Sequence, residues 1–275
     1  MLKIFTLSFL MILSSTASSV EPSPDEKLDV AQSYIRAANN DDPAAQFLAS
    51  DLFWNGWGVQ KNDRLARGWL EKSAAQSYPE AILELGRRKL TGDSYELDVD
   101  QGLALVLRSS DLGVVHADVI LGAYYLGLYS NNSLIDSEKG KVFLLKASSL
   151  NSSQAMYYLG LMYELGREPD VSMESDINYE RSIYWYTQSA EKLNTFSIGR
   201  LGLIYALPQN DNLDWEKAYF WFKVAQKLDY NYWSDYMVNA ELNLNSGSRT
   251  VVKKKVEQWL NIHSKIKGET RDGGA

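Results

Sequence analysis

The side chains best suited to metal or acid–base chemistry are two histidines, His116 and His263, and the acidic run Asp93-Ser94-Tyr95-Glu96-Leu97-Asp98-Val99-Asp100. A zinc site or an imidazole-driven nucleophile needs several such groups converging on one point. The histidines are far apart in the chain, and no His-Glu-x-x-His occurs. His116 reads as a residue of an interhelix loop. The acidic run would suit calcium, but it lacks the ligand spacing and the glycine of an EF-hand loop. One of its members, Asp98, has a separate use as a helix cap. The chain contains no cysteine, so thiolate nucleophiles, thiolate metal sites and disulfides are excluded. Neither a phosphate-binding glycine loop nor a Gly-x-Ser-x-Gly elbow is present. These residues imply no catalytic group, no metal and no cofactor. What they leave open is binding.

Charge narrows the partners. Asp and Glu number 35 against 28 Lys and Arg, a formal charge of −7. Sequence-independent binding to nucleic acid or to an anionic membrane needs clustered cations. The one basic run, Lys253-Lys254-Lys255, reads as the solvated face of a C-terminal helix.

Residues 1–19 read as a secretory signal. Lys3 supplies the positive start, Ile4 to Leu13 the apolar stretch, and Ser14 to Ser19 the small-residue end. Cleavage fits after Ala17 or after Ser19, and the apolar stretch is about half the length of a spanning helix. Retention as an N-terminal anchor is the other reading. Without a cysteine, lipid attachment at the cleavage site is excluded. The expected product is exported and soluble, with no integral membrane segment once the signal is removed. The bacterial periplasm is the expected address. The sequons at Asn131 and Asn151 would matter only in a eukaryotic secretory pathway.

The elements behind these residues come from a repeat. Ala45, Ala81 and Ala117 stand 36 residues apart; Ala155 follows after 38 and Ser197 after 42. In register with them come Ser50, Gly86, Gly122, Gly160 and Gly202, four of them preceded by Leu. Self-similarity at this period predicts an all-α solenoid of stacked helix pairs. Ala155, Leu159 and Tyr163 form one helical stripe. The recurring glycine costs about 1 kcal/mol of helix propensity, which points to two backbones meeting there. Gly56, Gly92 and Gly166 occupy the following turn, and Leu128 and Pro208 replace them in the third and fifth repeats.

The second helix of each pair opens at Asn62, Asp98, Asp136, Asn178 or Asp214, all N-capping types. Small residues follow at Ala66, Gly102, Gly140, Ser182 and Ala218, and large ones at Trp69, Leu105, Phe143, Trp185 and Trp221. Small residues return at Ser73, Ser109, Ala147, Ser189 and Ala225. This alternation predicts an interlocking face.

The segments Ala155-Met156-Tyr157-Tyr158-Leu159-Gly160-Leu161-Met162-Tyr163-Glu164-Leu165-Gly166 and Asp214-Trp215-Glu216-Lys217-Ala218-Tyr219-Phe220-Trp221 resemble the Sel-1-like repeat, a relative of the tetratricopeptide repeat. The resemblance covers residues 45–229 as five repeats. Residues 20–44 form an N-terminal half-repeat, in which Tyr34-Ile35-Arg36-Ala37-Ala38 resembles a second helix. Departures are Lys89 in an aromatic slot, the two loops without glycine, and extra residues in the third and fourth repeats. The resemblance implies antiparallel helix pairs in a right-handed superhelix, serving as a scaffold for protein partners. Beyond the repeats, Tyr232 to Leu244 reads as a helix, Asn245-Ser246-Gly247 as a break, and Thr250 to Lys265 as a final helix. Residues 230–267 thus cap the stack, and 268–275 read as a disordered tail.

The outward stripe of the first helices places Val119, Ile120, Ala123, Tyr157, Tyr158 and Leu161 at an apolar, Tyr-bearing centre. Glu84, Arg87 and Arg200 flank it. That composition suits a protein-binding patch. Trp54 and Trp57 in the first loop are a second candidate. The functional expectation is a non-enzymatic exported scaffold binding a protein: an envelope adaptor, a regulator or a toxin-neutralising immunity protein. Exported relatives linked to β-lactam binding or hydrolysis carry a cysteine pair per repeat, which this chain lacks. A β-lactam-binding or -hydrolysing enzyme of that exported repeat type is still the runner-up reading, and a peptidoglycan- or glycan-binding module with exposed aromatics is the third.

Overall fold

A computed structural model of the chain describes residues 21–129, 135–167, 177–207 and 213–272, with side chains to residue 263. The signal segment, the sequon at Asn131 and the loop position of Pro208 lie outside the described residues. Among the described residues there are thirteen α-helices and no strand. They are α1 (Pro24–Asn39), α2 (Pro43–Asn55), α3 (Asp63–Ala75), α4 (Pro79–Thr91), α5 (Val99–Asp111), α6 (Val115–Tyr125) and α7 (Ser137–Ser149). There follow α8 (Ser153–Glu164), α9 (Tyr179–Ala190), α10 (Thr195–Ala206), α11 (Trp215–Lys227), α12 (Ser234–Leu242) and α13 (Ser246–Asp272).

The helices group into two compact units, one ending at Ala117 and the other beginning at Asp118. In the first, α1 to α5 pack consecutively. In the second, α7 to α11 do so, and α12 and α13 both pack on α11. The Asn231–Trp233 turn introduces α12, and α13 runs to Asp272, through part of the tail read from the sequence as disordered.

All five predicted caps act as caps. Asn62, Asp98, Asp136, Asn178 and Asp214 accept the backbone N–H groups of Leu65, Gln101, Lys139, Arg181 and Lys217. The glycine positions also behave as expected. A Cβ on Gly86 would lie 3.0 Å from the Gly102 carbonyl oxygen, and one on Gly102 would lie 3.0 Å from that of Gly86, so α4 and α5 cross backbone to backbone. Serines on the second helices do more than stay small. Ser73, Ser109 and Ser189 donate to the carbonyls of Pro43, Pro79 and Ser153, tying each second helix to the start of its partner.

Three expectations need correction. The deepest side chains of the second helices are Leu70, Val106, Leu144, Tyr186 and Phe222, each at most 1% exposed. They sit one position after Trp69, Leu105, Phe143, Trp185 and Trp221, and four of them, Val106, Leu144, Tyr186 and Phe222, press into the space beside the Leu-Gly glycines. The first helices bury a wider arc than one stripe. The residues after each anchor (Gln46, Ile82, Asp118, Met156 and Ile198) are all buried; for Ile82 this follows because α4 packs against α3 as well as α5. In the third repeat Gly127, one position before Leu128, takes the left-handed turn at φ 69°.

Candidate protein-interaction surface

Tyr157 and Leu161 lie one turn apart on α8, and Phe196 and Arg200 one turn apart on α10, so each pair shares a helix face. Ser152 caps α8 through the Ala155 N–H, and Asn194 caps α10 through the Ser197 N–H, fixing where both faces begin. The ring of Tyr157 meets Tyr158 at 5.2 Å, Tyr186 at 5.8 Å and Phe196 at 5.9 Å between centroids. Phe196 continues to Tyr230 at 5.8 Å, Tyr230 to Tyr232 at 6.4 Å, and Tyr232 to Trp233 at 4.7 Å. A row of rings therefore runs from α8 across α10 to the turn before α12. It is half-buried along most of its length, while Phe196 is 42% and Tyr232 74% exposed.

One ion pair lies within this row. Arg200 grips Glu164 with a fork, Nη2 to Oε1 at 2.7 Å and Nε to Oε2 at 3.0 Å. The Tyr186 hydroxyl donates to the same Oε2 at 2.6 Å. Burial pushes the phenols of Tyr157, Tyr158 and Tyr186 up, for Tyr186 with help from the Glu164 charge, so all three remain neutral donors. Burial opposes the Arg200 charge, but Glu164 beside it holds the guanidinium above its ordinary value.

Of the residues the sequence points to, Tyr157, Tyr158 and Leu161 lie at this surface. Val119, Ile120 and Ala123 do not: they are 2%, 4% and 2% exposed and belong to the core. Beyond Asp118, α6 is apolar on every side, and a helix of that composition is buried all round, as Val119 to Tyr124 are. Phe196, Tyr230, Tyr232 and Glu164 were missed. Stepping one helical turn back from Arg200 reaches Phe196, which was the signal available.

In the first unit, Trp54 is buried at 9% exposure, with the Arg88 guanidinium 3.4 Å from its ring centre. It belongs to the core, and its surface role is withdrawn. Trp57 is half-buried in a loop that Gly58 holds against the Lys27 carbonyl of α1. Glu84 accepts from both Arg87 and Arg88, and Asp93 accepts from Arg88. Near this array Asp51 is pushed up to about 6, chiefly by burial, with its Asn55 hydrogen bond opposing. His116 stands in the first turn of α6 rather than in a loop. Burial, then the charge of Arg87, lowers its pKa. The acidic run around Asp98 lines a shallow depression, and among the described residues no set of His, Asp and Glu is arranged to hold a metal ion. No described helix is long and apolar enough to cross a membrane.

The Sel1 repeat matches residues 43–78, 79–114 and 153–192, on the same helix pairs as the first, second and fourth repeats. The chain carries Sel1 repeats. It is 24% identical over 265 residues to the Sel1-repeat-containing protein YjcO of Escherichia coli K12, covering 95% of this chain and 92% of the relative. The structure resembles that of a Sel1 repeat protein from Oxalobacter formigenes, with a TM-score of 0.63 and 25% identity over 76% of this chain and 81% of that one. It also resembles the immunity protein PA5088 of Pseudomonas aeruginosa, with a TM-score of 0.55 and 17% identity over 80% of each chain. Among the Sel1-like repeats here, the third and fifth lie between and after the matched segments. They are the two with Leu128 and Pro208 in the glycine slot of the loop.

Proposed function

We propose that this chain of Sel1 repeats is an exported, non-enzymatic scaffold that binds a protein partner in the bacterial envelope, as an adaptor, regulator or immunity protein. The ring row of α8 and α10, with the Glu164–Arg200 pair inside it, carries this reading. Tyr, Trp and Arg dominate the energetics of protein interfaces, because they combine large buried area with directed hydrogen bonds. Repeat stacking supplies a broad rigid surface rather than an enclosed site. The likeness in fold to an immunity protein supports the toxin-neutralising form, and the signal-like residues 1–19 support export.

Chemical crosslinking of the mature chain, Ser18 to Ala275, in envelope extract, with mass-spectrometric identification of captured proteins, tests the proposal. A single dominant partner, lost in a Tyr157→Ala/Leu161→Ala double variant, is the expected result. Capture of no protein, together with cosedimentation on purified cell-wall sacculi or turnover of a chromogenic β-lactam, would overturn it.

A further inference from the structure

Resting on that reading, we infer that the row formed by Tyr157, Tyr158, Phe196, Tyr230 and Tyr232 with Arg200 docks a peptide segment that presents a carboxylate beside an apolar or aromatic side chain.

The carboxylate follows from the hydrogen-bond inventory. Both oxygens of Glu164 are engaged, Oε1 by Arg200 and Oε2 by Arg200 and Tyr186. Glu164 is also the more deeply buried member, its side chain 12% exposed against 28% for Arg200. The arginine spends Nε and Nη2 on the pair, the Tyr186 hydroxyl stands against it as well, and 28% of its side chain remains exposed. The neighbouring phenols stay protonated at neutral pH. The surface therefore offers a guanidinium and protonated phenols, and a carboxylate satisfies the exposed part of a guanidinium best. The chain's net charge of −7 opposes such a partner little, since exposed charges farther from Arg200 than roughly 8 Å are screened at physiological salt.

The apolar part of the occupant follows from ring exposure. Tyr157 and Phe196 are inclined at 47°, and Phe196 and Tyr230 at 66°. Phe196 and Tyr232, 42% and 74% exposed, leave apolar ring area for a side chain to cover. Phe196, at the centre, has no hydroxyl to offer a sugar. A protein segment fits both halves of the surface.

Two random twelve-residue peptide libraries, one with free C-termini and one with the random segment internal, would be panned on the purified mature chain. Selected peptides would then be measured by fluorescence anisotropy. The expected outcome is a consensus pairing Asp, Glu or the terminal carboxylate with an aromatic or aliphatic residue. Binding should weaken at least tenfold in Arg200→Gln and in Phe196→Ser, and equally when the peptide carboxylate becomes an amide. The second library separates a side-chain from a terminal carboxylate. Because Phe196 is a surface residue, Phe196→Ser keeps the test valid if Arg200→Gln fails to fold. A consensus without an acid, peptides that bind both variants as well as the parent, or no enrichment would each overturn the inference. Peptides unaffected here but lost in Trp57→Ala would leave the protein-binding reading standing and remove this surface.

Discussion

The Tyr186 hydroxyl donates a 2.6 Å hydrogen bond to Glu164 Oε2, linking a fully buried ring of α9 to the ion pair at the end of α8. The ring itself fills the space beside Gly160, where an added Cβ would lie 2.6 Å from Tyr186 Cδ1. Core packing and surface chemistry are thus set by one side chain. Tyr186→Phe keeps the ring and removes the bond to a charged acceptor. It should lower stability by about 1.5–3 kcal/mol, read as a fall in the urea midpoint without a change in slope.

The glycine register makes a contrast that composition alone would not. Gly202 on α10 has the Phe222 ring 2.5 Å from where a Cβ would be, whereas Gly68 on α3 has nothing within 4 Å. Gly202→Ala should cost about 1–3 kcal/mol through overpacking. Gly68→Ala should gain about 0.5–1 kcal/mol from helix propensity. Equal effects of the two substitutions on the melting temperature would contradict the packing described.

Each turn between repeats holds one residue at positive φ: Asp41, Ser77, Gly113, Asn151, Leu193 and Asp229. Leu193 is the branched, apolar exception, and a left-handed conformation costs a non-glycine residue roughly 1–2 kcal/mol. Leu193→Asn should therefore stabilise the second unit by up to about 1 kcal/mol, measurable by thermal unfolding.

Asp51 gives the fold a pH dependence of definite sign. Burial raises its folded pKa from 3.8 to about 6, so the folded state favours the protonated acid. That contribution is complete below the unfolded pKa and is lost as pH rises through about 6. Asp51→Asn, which keeps an acceptor and a neutral side chain, should stabilise the protein at pH 7.5 by about 1–3 kcal/mol and change little at pH 4. Unfolding midpoints at the two pH values check this.

The helix pairs, the caps and the close backbone crossings were legible because each depends on a residue type repeated at fixed spacing. The site was legible only in part. Tyr157, Tyr158 and Leu161 were found through the outward stripe of α8. A wheel drawn for one helix cannot show that packing on more than one side buries the positions after Ala81 and Ala155, nor that α6 has no outward face. Glu164 and Tyr186 escaped notice for a related reason. Their significance depends on Arg200, which is distant in sequence and one helix pair away in the stack.

The most direct test of the account is site-specific photocrosslinking in living cells, with a benzophenone amino acid at Phe196 and, separately, at Val142, which is 60% exposed on α7. The account predicts one discrete protein adduct from position 196, none from position 142, and loss of the adduct when Arg200→Gln is added. Adducts of equal yield from both positions, or none from position 196, would contradict it.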